Sequence, residues 1–264
     1  MGTDAGSQPR DLSEARERVR QARRALVLTG AGISAESGVP TFRGEAGLWH
    51  RHRPEDLATP EAFRRDPRLV WQWYAMRRQL VAACEPNDAH RALAAWVLAA
   101  PGRRSLVTQN VDGLHERALV EALDPEAPPL IEAEPLLLHG SLARVRCTAC
   151  DHGGVEAAVI DPGEDGPLPH CPDCGALRRP DVVWFGEPLD RRVIERAFAL
   201  ASSADLCIVV GTSAVVHPAA SLPRATLDAG GSVVEVNPDA TPLSAIADMV
   251  LRGPAAAILP ALLA

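Results

Sequence analysis

Four cysteines stand as two C-x2-C pairs, Cys147 with Cys150 and Cys171 with Cys174, separated by 20 residues. Four thiolates on two such knuckles suit tetrahedral zinc. A closed set of four leaves no open position for metal catalysis, so the expectation is one structural zinc. Two disulfides are the other reading of the same spacing. His139, in Leu138-His139-Gly140-Ser141, follows an apolar run and is flanked by glycine. An accessible imidazole at such a place titrates near neutral pH, which makes it the general-base candidate. Gln109, Asn110 and Asp112 bring amide and carboxylate groups to the end of another apolar run, where open α/β sheets bind ligands, although Asp112 reads equally as a helix cap. Tyr74 and Arg77 are three apart on one helix face, and a phenol beside a guanidinium suits a carboxylate. Core packing for the tyrosine and pairing with a nearby acid for the arginine is the plainer reading. Cys84 and Cys207 lie in apolar runs as packing residues, and His90 reads as structural.

These groups need a scaffold, and the hydrophobic pattern supplies one. Residues 25–29 are a short apolar run that ends in Gly30, Gly32 and Ala35, the G-x-G-x-x-A form of a dinucleotide turn, in which backbone N–H groups approach a pyrophosphate. A tight turn with no ligand has the same pattern. In the following loop, Thr41-Phe42-Arg43-Gly44, an aromatic ring and a guanidinium could cover a bound cofactor, or the phenylalanine could simply pack underneath. Further buried strands are expected at 105–108, 136–138, 206–210, 233–236 and 249–251. Gly211, Thr212 and Ser213 follow one of them with hydroxyls suited to ribose or phosphate. Asn237, Pro238 and Asp239 follow the next, with an amide able to hold a ribose. Helices are expected from a cap at Ser13 to about residue 25, and from Asp66-Pro67 to about residue 84. The run 182–186 reads as a buried or half-exposed strand. Strand, turn and helix in repetition imply an α/β fold with a doubly wound parallel, Rossmann-like sheet and ligand at the strand C-terminal ends.

Residues 30–44, GAGISAESGVPTFRG, closely resemble the cofactor-binding signature of the sirtuins, the NAD-dependent protein-lysine deacylases, and the later motifs arrive in that family's order from about residue 24 onward. The resemblance implies one catalytic domain over 1-264. Segments 10-40, 91-141 and 181-264 would form the NAD-binding lobe, 41-90 a helical insertion, and 142-180 a zinc-ribbon-like insertion. NAD is then a consumed co-substrate. Ala31, Ser34, Glu36, Thr41, Trp49 and Ala255 join the residues named above as cofactor contacts: Gly30, Gly32, Ala35, Phe42, Arg43, Gln109, Asn110, Asp112, Gly211, Thr212, Ser213, Asn237, Pro238 and Asp239. His139, with Asn110 and Asp112, becomes catalytic. The substrate peptide would be held as an added strand by Val183, Trp184, Phe185, Gly186 and Glu187 and by Val215 beyond the G-T-S motif. In desuccinylase-type, class III members a Y-x-x-R pair reads the acid end of succinyl- or malonyl-lysine beside a small residue, and Tyr74, Arg77 and Ala58 match that pattern. His217 departs from the tyrosine that relatives often carry. The implied reaction is attack of the acyl-lysine amide oxygen on the nicotinamide ribose, release of nicotinamide, and proton transfer to His139. Free lysine and O-acyl-ADP-ribose follow.

The chain has 264 residues, 47% hydrophobic and 23% charged, as an ordinary soluble globular protein does. A net charge of −7 argues against general nucleic-acid affinity. No apolar run is long enough for a membrane span and residues 1–20 carry charge where a leader needs an apolar region, so a cytoplasmic monomer or weak oligomer is expected. All 27 basic residues are arginine and none is lysine, so an enzyme acting on acyl-lysine would have no lysine of its own to modify. Competing functions are a dehydrogenase, which needs an acid after the second strand, a mono-ADP-ribosyltransferase, a non-catalytic NAD sensor, and a deacetylase with no carboxyacyl preference.

Overall fold

The computed structural model describes residues 8–41, 53–123, 131–156 and 160–264. The strands are β1 (Ala25–Thr29), β2 (Arg104–Thr108), β3 (Leu136–Leu137), β4 (Gly140–Cys147), β5 (Gly153–Val155), β6 (Arg178–Val182), β7 (Leu206–Val210), β8 (Ser232–Val236) and β9 (Met249–Leu251). Among the described residues, six of them form one sheet in the order β3-β2-β1-β7-β8-β9, parallel throughout. The sequences ALVLT and LCIVV of β1 and β7 are buried at every position, as central strands covered on both faces must be. Side chains alternate between the two layers. Val27, Ile208 and Val234 enter one core, and Leu26, Leu28, Cys207, Val209 and Val233 the other.

The helices are α1 (Gln8–Gln21), α2 (Pro54–Leu57), α3 (Pro60–Arg65), α4 (Pro67–Ala82), α5 (Asp88–Leu98), α6 (Leu114–Ala122), α7 (Arg191–Ser203), α8 (Leu222–Asp228) and α9 (Ala255–Leu263). α1, α5 and α9 cover one sheet face through Ala15, Val19, Leu93 and Leu259. α7 and α8 cover the other through Ala197, Ala201 and Leu222. α1 departs from the expectation at both ends. It already runs at Gln8, which places Ser13 inside it rather than at its cap, and it stops at Gln21, before the strand. α4 begins as expected, with the Asp66 carboxylate accepting the Leu69 N–H at 2.9 Å and Pro67 in the first turn.

A second, antiparallel sheet, β5-β4-β6, carries the cysteines and shares a core with α3 and α4 made of Phe63, Trp71, Tyr74, Val145, Val182 and Trp184. Polar ties fix α4 to β6 and to the loop that precedes it. Trp71 Nε1 donates to the Arg178 carbonyl at 3.1 Å, Gln72 Nε2 to the Gly163 carbonyl at 2.7 Å, and Arg68 to the carbonyls of Pro162, Gly163 and Gly166. Of the run expected as a strand at 182–186, Val182 ends β6 and residues 183–186 form the loop and turn that follow it, with Gly186 at φ +85°. That turn frees Val183–Glu187 for other contacts.

Candidate active site

The sheet order turns outward in both directions from the boundary between β1 and β7. This is the switch point, where the crevice of an open α/β sheet lies. Thr29 is level with both Thr108 and Val210, so the three strands end flush. The loops leaving them interlock. Gly32 N–H donates to the Gly211 carbonyl at 2.7 Å, and a Cβ on Gly32 would stand 2.7 Å from Gly211 Cα. One on Gly30 would stand 2.7 Å from Thr212 Cβ. The glycines of the dinucleotide turn are therefore demanded by the approach of the second loop, in addition to any ligand. Thr212 ties in the neighbours, since its hydroxyl accepts from Gln109 Nε2 at 3.0 Å and its carbonyl from Asn237 Nδ2 at 2.9 Å. Beneath the Asn237–Asp239 loop, buried Glu235 accepts hydrogen bonds from the hydroxyls of Thr241 and Ser244 and faces Arg252 at 3.7 Å. Glu36 accepts the Ala256 N–H at 2.8 Å, joining the glycine turn to α9, where Ala255 is buried.

A buried hydrogen-bond network underlies Asn110 and Asp112. Ser34 donates to Asp112 Oδ2 at 2.8 Å and accepts from Asn110 Nδ2 at 3.2 Å. With the serine hydrogen committed, His90 Nε2 donates to Ser34 Oγ at 3.4 Å. Thr29 Oγ1 donates to Thr108 Oγ1 at 2.8 Å and therefore accepts from His115 Nε2 at 2.9 Å, while Thr108 Oγ1 also receives the Asn110 N–H at 3.0 Å. The two imidazoles pack against each other at an interplanar angle of 57°, with centroids 4.8 Å apart. Burial pushes His115 down to about 4, and burial with the neighbouring His115 pushes His90 down to about 3, so both rings are neutral. Asp112 also accepts the Leu114 N–H at 3.0 Å, so the cap reading and the site reading of this carboxylate both describe it. The structural expectation for His90 is fulfilled by its capping box with Asn87. His115, Thr29 and Thr108 are additions that the sequence analysis lacked. The available signal was a threonine ending two successive apolar runs.

His139 leaves β3 half-buried, with Nδ1 3.0 Å from the Gln109 carbonyl. A carbonyl only accepts, so Nδ1 carries the hydrogen and Nε2 presents a lone pair, the tautomer a base requires. Burial lowers its pKa and the Gln109 carbonyl partly opposes this. Gly140, the next residue, has φ +78°, and a Cβ there would collide with the Asp181 carbonyl, so β6 sets the orientation of the turn.

Tyr74 and Arg77 are both buried, 2% and 8% exposed, on the same face of α4, with the Arg77 guanidinium 5.7 Å from the Tyr74 ring centroid and 4.9 Å from that of Trp73. Ala58 is buried beside them, and its carbonyl accepts the Phe185 N–H at 2.9 Å. Trp184 points inward to Tyr74, whereas Phe185 and Val215 are 46% and 43% exposed. His217 is exposed and bonded to Ser221 Oγ at 3.0 Å. Phe42, Arg43 and Trp49 lie outside the described residues. A cleft of about 760 Å³ between α3 and the cysteine sheet, lined by Phe63, Arg144, Arg146, Asp181 and Glu187 among others, contains neither His139 nor the glycine turn.

None of the six cysteines is in a disulfide, which overturns that alternative. The Sγ atoms of Cys147, Cys150, Cys171 and Cys174 all lie within 4.8 Å of one another, with Cys147 to Cys174 at 3.4 Å and Cys150 to Cys171 at 3.7 Å. Tetrahedral zinc with bonds of about 2.3 Å requires sulfurs about 3.8 Å apart, so the four fit that metal. The switch-point crevice, with its glycine turn, hydroxyls and amides, likewise fits a dinucleotide.

A family model described as the Sir2 family matches residues 30–218. The chain is 47% identical over 259 residues to an NAD-dependent protein deacylase of Thermococcus kodakarensis, covering 96% of this chain and 94% of the relative. It is 50% identical over 239 residues to NAD-dependent protein deacylase 1 of Archaeoglobus fulgidus, covering 89% of each. Among solved structures, a Sir2 homologue–NAD complex superposes with a TM-score of 0.83 at 46% identity, covering 95% of this chain and 92% of the other. A Sir2–p53 peptide–NAD+ complex superposes at 0.78 with 31% identity, covering 94% and 95%.

Proposed function

Because the chain belongs to the Sir2 family, we propose that it is an NAD-dependent protein-lysine deacylase that favours the carboxyacyl groups succinyl and malonyl over acetyl. The observation that carries the chemistry is His139, whose Nδ1 is committed to the Gln109 carbonyl while Nε2 is left as the acceptor. NAD, when bound, supplies the acyl acceptor: nicotinamide departs and the ADP-ribose part carries the acyl group away. The loops at Gly30–Glu36, Gly211–Ser213 and Asn237–Asp239 would hold the dinucleotide at the switch point, together with Thr41 and Ala255, with Phe42 and Arg43 of the signature loop, and with Trp49 beyond it. Asn110 and Asp112, set by Ser34, orient the reacting end. His139 Nε2 accepts the proton of a ribose hydroxyl. The substrate is an acyl-lysine protein or peptide lying as an added strand between residues 183–187 and Val215, a reading that the exposure of Phe185 and Val215 supports. All of this belongs to one catalytic domain, with the lobes bounded as the sequence analysis has them.

The acyl preference follows from Tyr74 and Arg77. Burial lowers the Arg77 pKa, and Tyr74 and Asp112 offset part of this; a guanidinium is basic enough to stay a cation throughout the physiological range. A carboxylate brought to it gains charge-assisted hydrogen bonds that an acetyl methyl cannot make. At about 1.5–3 kcal/mol this amounts to roughly ten- to a hundredfold. The test is kcat/KM with NAD on two peptides that differ only in acetyl- or succinyl-lysine, following free lysine peptide and O-acyl-ADP-ribose by mass spectrometry. A succinyl preference lost in Arg77→Met is expected. An acetyl preference indifferent to Arg77 would leave a general deacetylase.

A further inference from the structure

A phenol has one hydrogen to donate and two lone pairs to accept with. Among the described residues, the one hydrogen bond of the Tyr74 hydroxyl is that accepted from Trp184 Nε1, at 2.9 Å and buried. An indole N–H only donates. The contact therefore occupies a phenol lone pair and leaves the phenol hydrogen to seek an acceptor elsewhere. Burial raises the Tyr74 pKa, which keeps that hydrogen in place.

Trp184 is itself tightly held. The Arg179 guanidinium lies over its ring, Cζ 3.3 Å from the centroid. Arg179 grips both carboxylate oxygens of Glu187, Nη2 to Oε2 at 3.0 Å, and Glu187 Oε2 also accepts the Trp184 backbone N–H at 2.9 Å. Phe63 packs on the indole with centroids 5.3 Å apart. Arg179 and Trp184 are 6% and 3% exposed, so solvent does not compete for these contacts. An indole fixed in this way cannot turn aside to let a ligand reach the lone pair it fills.

We propose that Trp184 is a positioning residue for acyl specificity: its N–H makes Tyr74 a hydrogen-bond donor toward the pocket, and the Glu187–Arg179 pair holds Trp184 in that role. Tyr74 and Arg77, which has only donors, then both offer donors to the acyl group and favour an acceptor-only terminus, a carboxylate. The inference rests on the carboxyacyl reading of Tyr74 and Arg77 proposed above.

The test is a double-mutant cycle, Trp184→Phe, Tyr74→Phe and both, read as the succinyl-to-acetyl ratio of kcat/KM. Trp184→Phe is expected to lower the ratio about five- to tenfold, through KM for the succinyl peptide. In the Tyr74→Phe background it should lower it no further. A ratio unmoved by Trp184→Phe, or losses that simply add, would overturn the inference. Should Trp184→Phe fail to fold, benzothienylalanine at position 184 removes the N–H while keeping the bicyclic ring, and the same outcomes apply. A parent enzyme without succinyl preference overturns this inference together with the proposed acyl specificity. A preference that is lost in Arg77→Met but survives Trp184→Phe overturns the inference alone.

Discussion

His139 can serve as a base because its other nitrogen is already spoken for. The Gln109 carbonyl fixes the tautomer, and the His139 carbonyl in turn accepts the Val183 N–H at 2.9 Å, so alanine at this position removes the imidazole while keeping the backbone tie. His139→Ala is expected to lower turnover by at least about a hundredfold and to leave NAD binding measurable by calorimetry. Retained turnover would remove His139 from the mechanism. The pH dependence has a definite sign. Burial holds the His139 pKa below the ordinary 6.5, so the unprotonated base persists into mildly acid solution. The acid limb of the kcat/KM profile should therefore lie below 6.5, and a limb at or above that value would contradict the environment described for this ring.

At the scale of elements, α5 and α6 meet through His90 and His115, and this makes their packing sensitive to acid. The unfolded chain binds a proton on each ring below 6.5, whereas the folded chain does not do so until about 4 for His115 and about 3 for His90. Stability from these groups is complete above 6.5 and falls as pH drops through the window down to those folded values, by about 1.4 kcal/mol per pH unit for each ring. Urea midpoints at pH 7 and pH 5 measure this, and His115→Gln should flatten the difference. Equal midpoints in the parent protein would refute it. The cysteine sheet matters to α4 in a similar way, since Trp71 ends on the backbone of β6 and Arg68 and Gln72 on the loop between β5 and β6. Metal binding and folding are coupled in modules of this size. Chelation, or Cys171→Ser, is expected to lower the melting temperature and expose residues 142–180 to protease, and an unchanged melting curve would count against a structural metal.

Across the whole molecule, the parallel sheet delivers its loops to one edge and the cysteine sheet with α3 and α4 stands beside it, so that the His139 turn is shared: β3 precedes it and β4 follows. No helix among the described residues is long and apolar enough to cross a membrane. The charge composition also acts at this scale. With 27 arginines and no lysine, and guanidinium groups protonated throughout the physiological range, the folded chain offers acyl thioesters no side-chain amine. Incubation with succinyl-CoA should therefore add no mass to side chains, as intact-mass and peptide analysis would reveal. Succinylated side chains would show that other nucleophiles react.

Much of the fold was legible in the chain because periodicity and caps are local. Strands at 206–210 and 249–251 appeared where the apolar runs placed them, since a parallel strand covered on both faces must be continuously apolar. The zinc knuckles, the glycine turn and the candidate base His139 were legible for the same reason, each lying within a few consecutive residues. The start of α1 was missed because its first turn is polar, and of the strand expected at 182–186 only Val182 pairs, at the end of β6, since an apolar run does not by itself say which of its residues pair. What the tertiary structure alone decided are the contacts between distant positions. Trp184 meets Tyr74 across 110 positions and His115 meets Thr29 across 86. Gly32 needs its missing side chain because Gly211 arrives beside it. The order of the strands, with β1 beside β7, creates that neighbourhood. Local pattern specifies each element and its ends, but only the assembled sheet decides which loops share a site and which side chains must then fit one another.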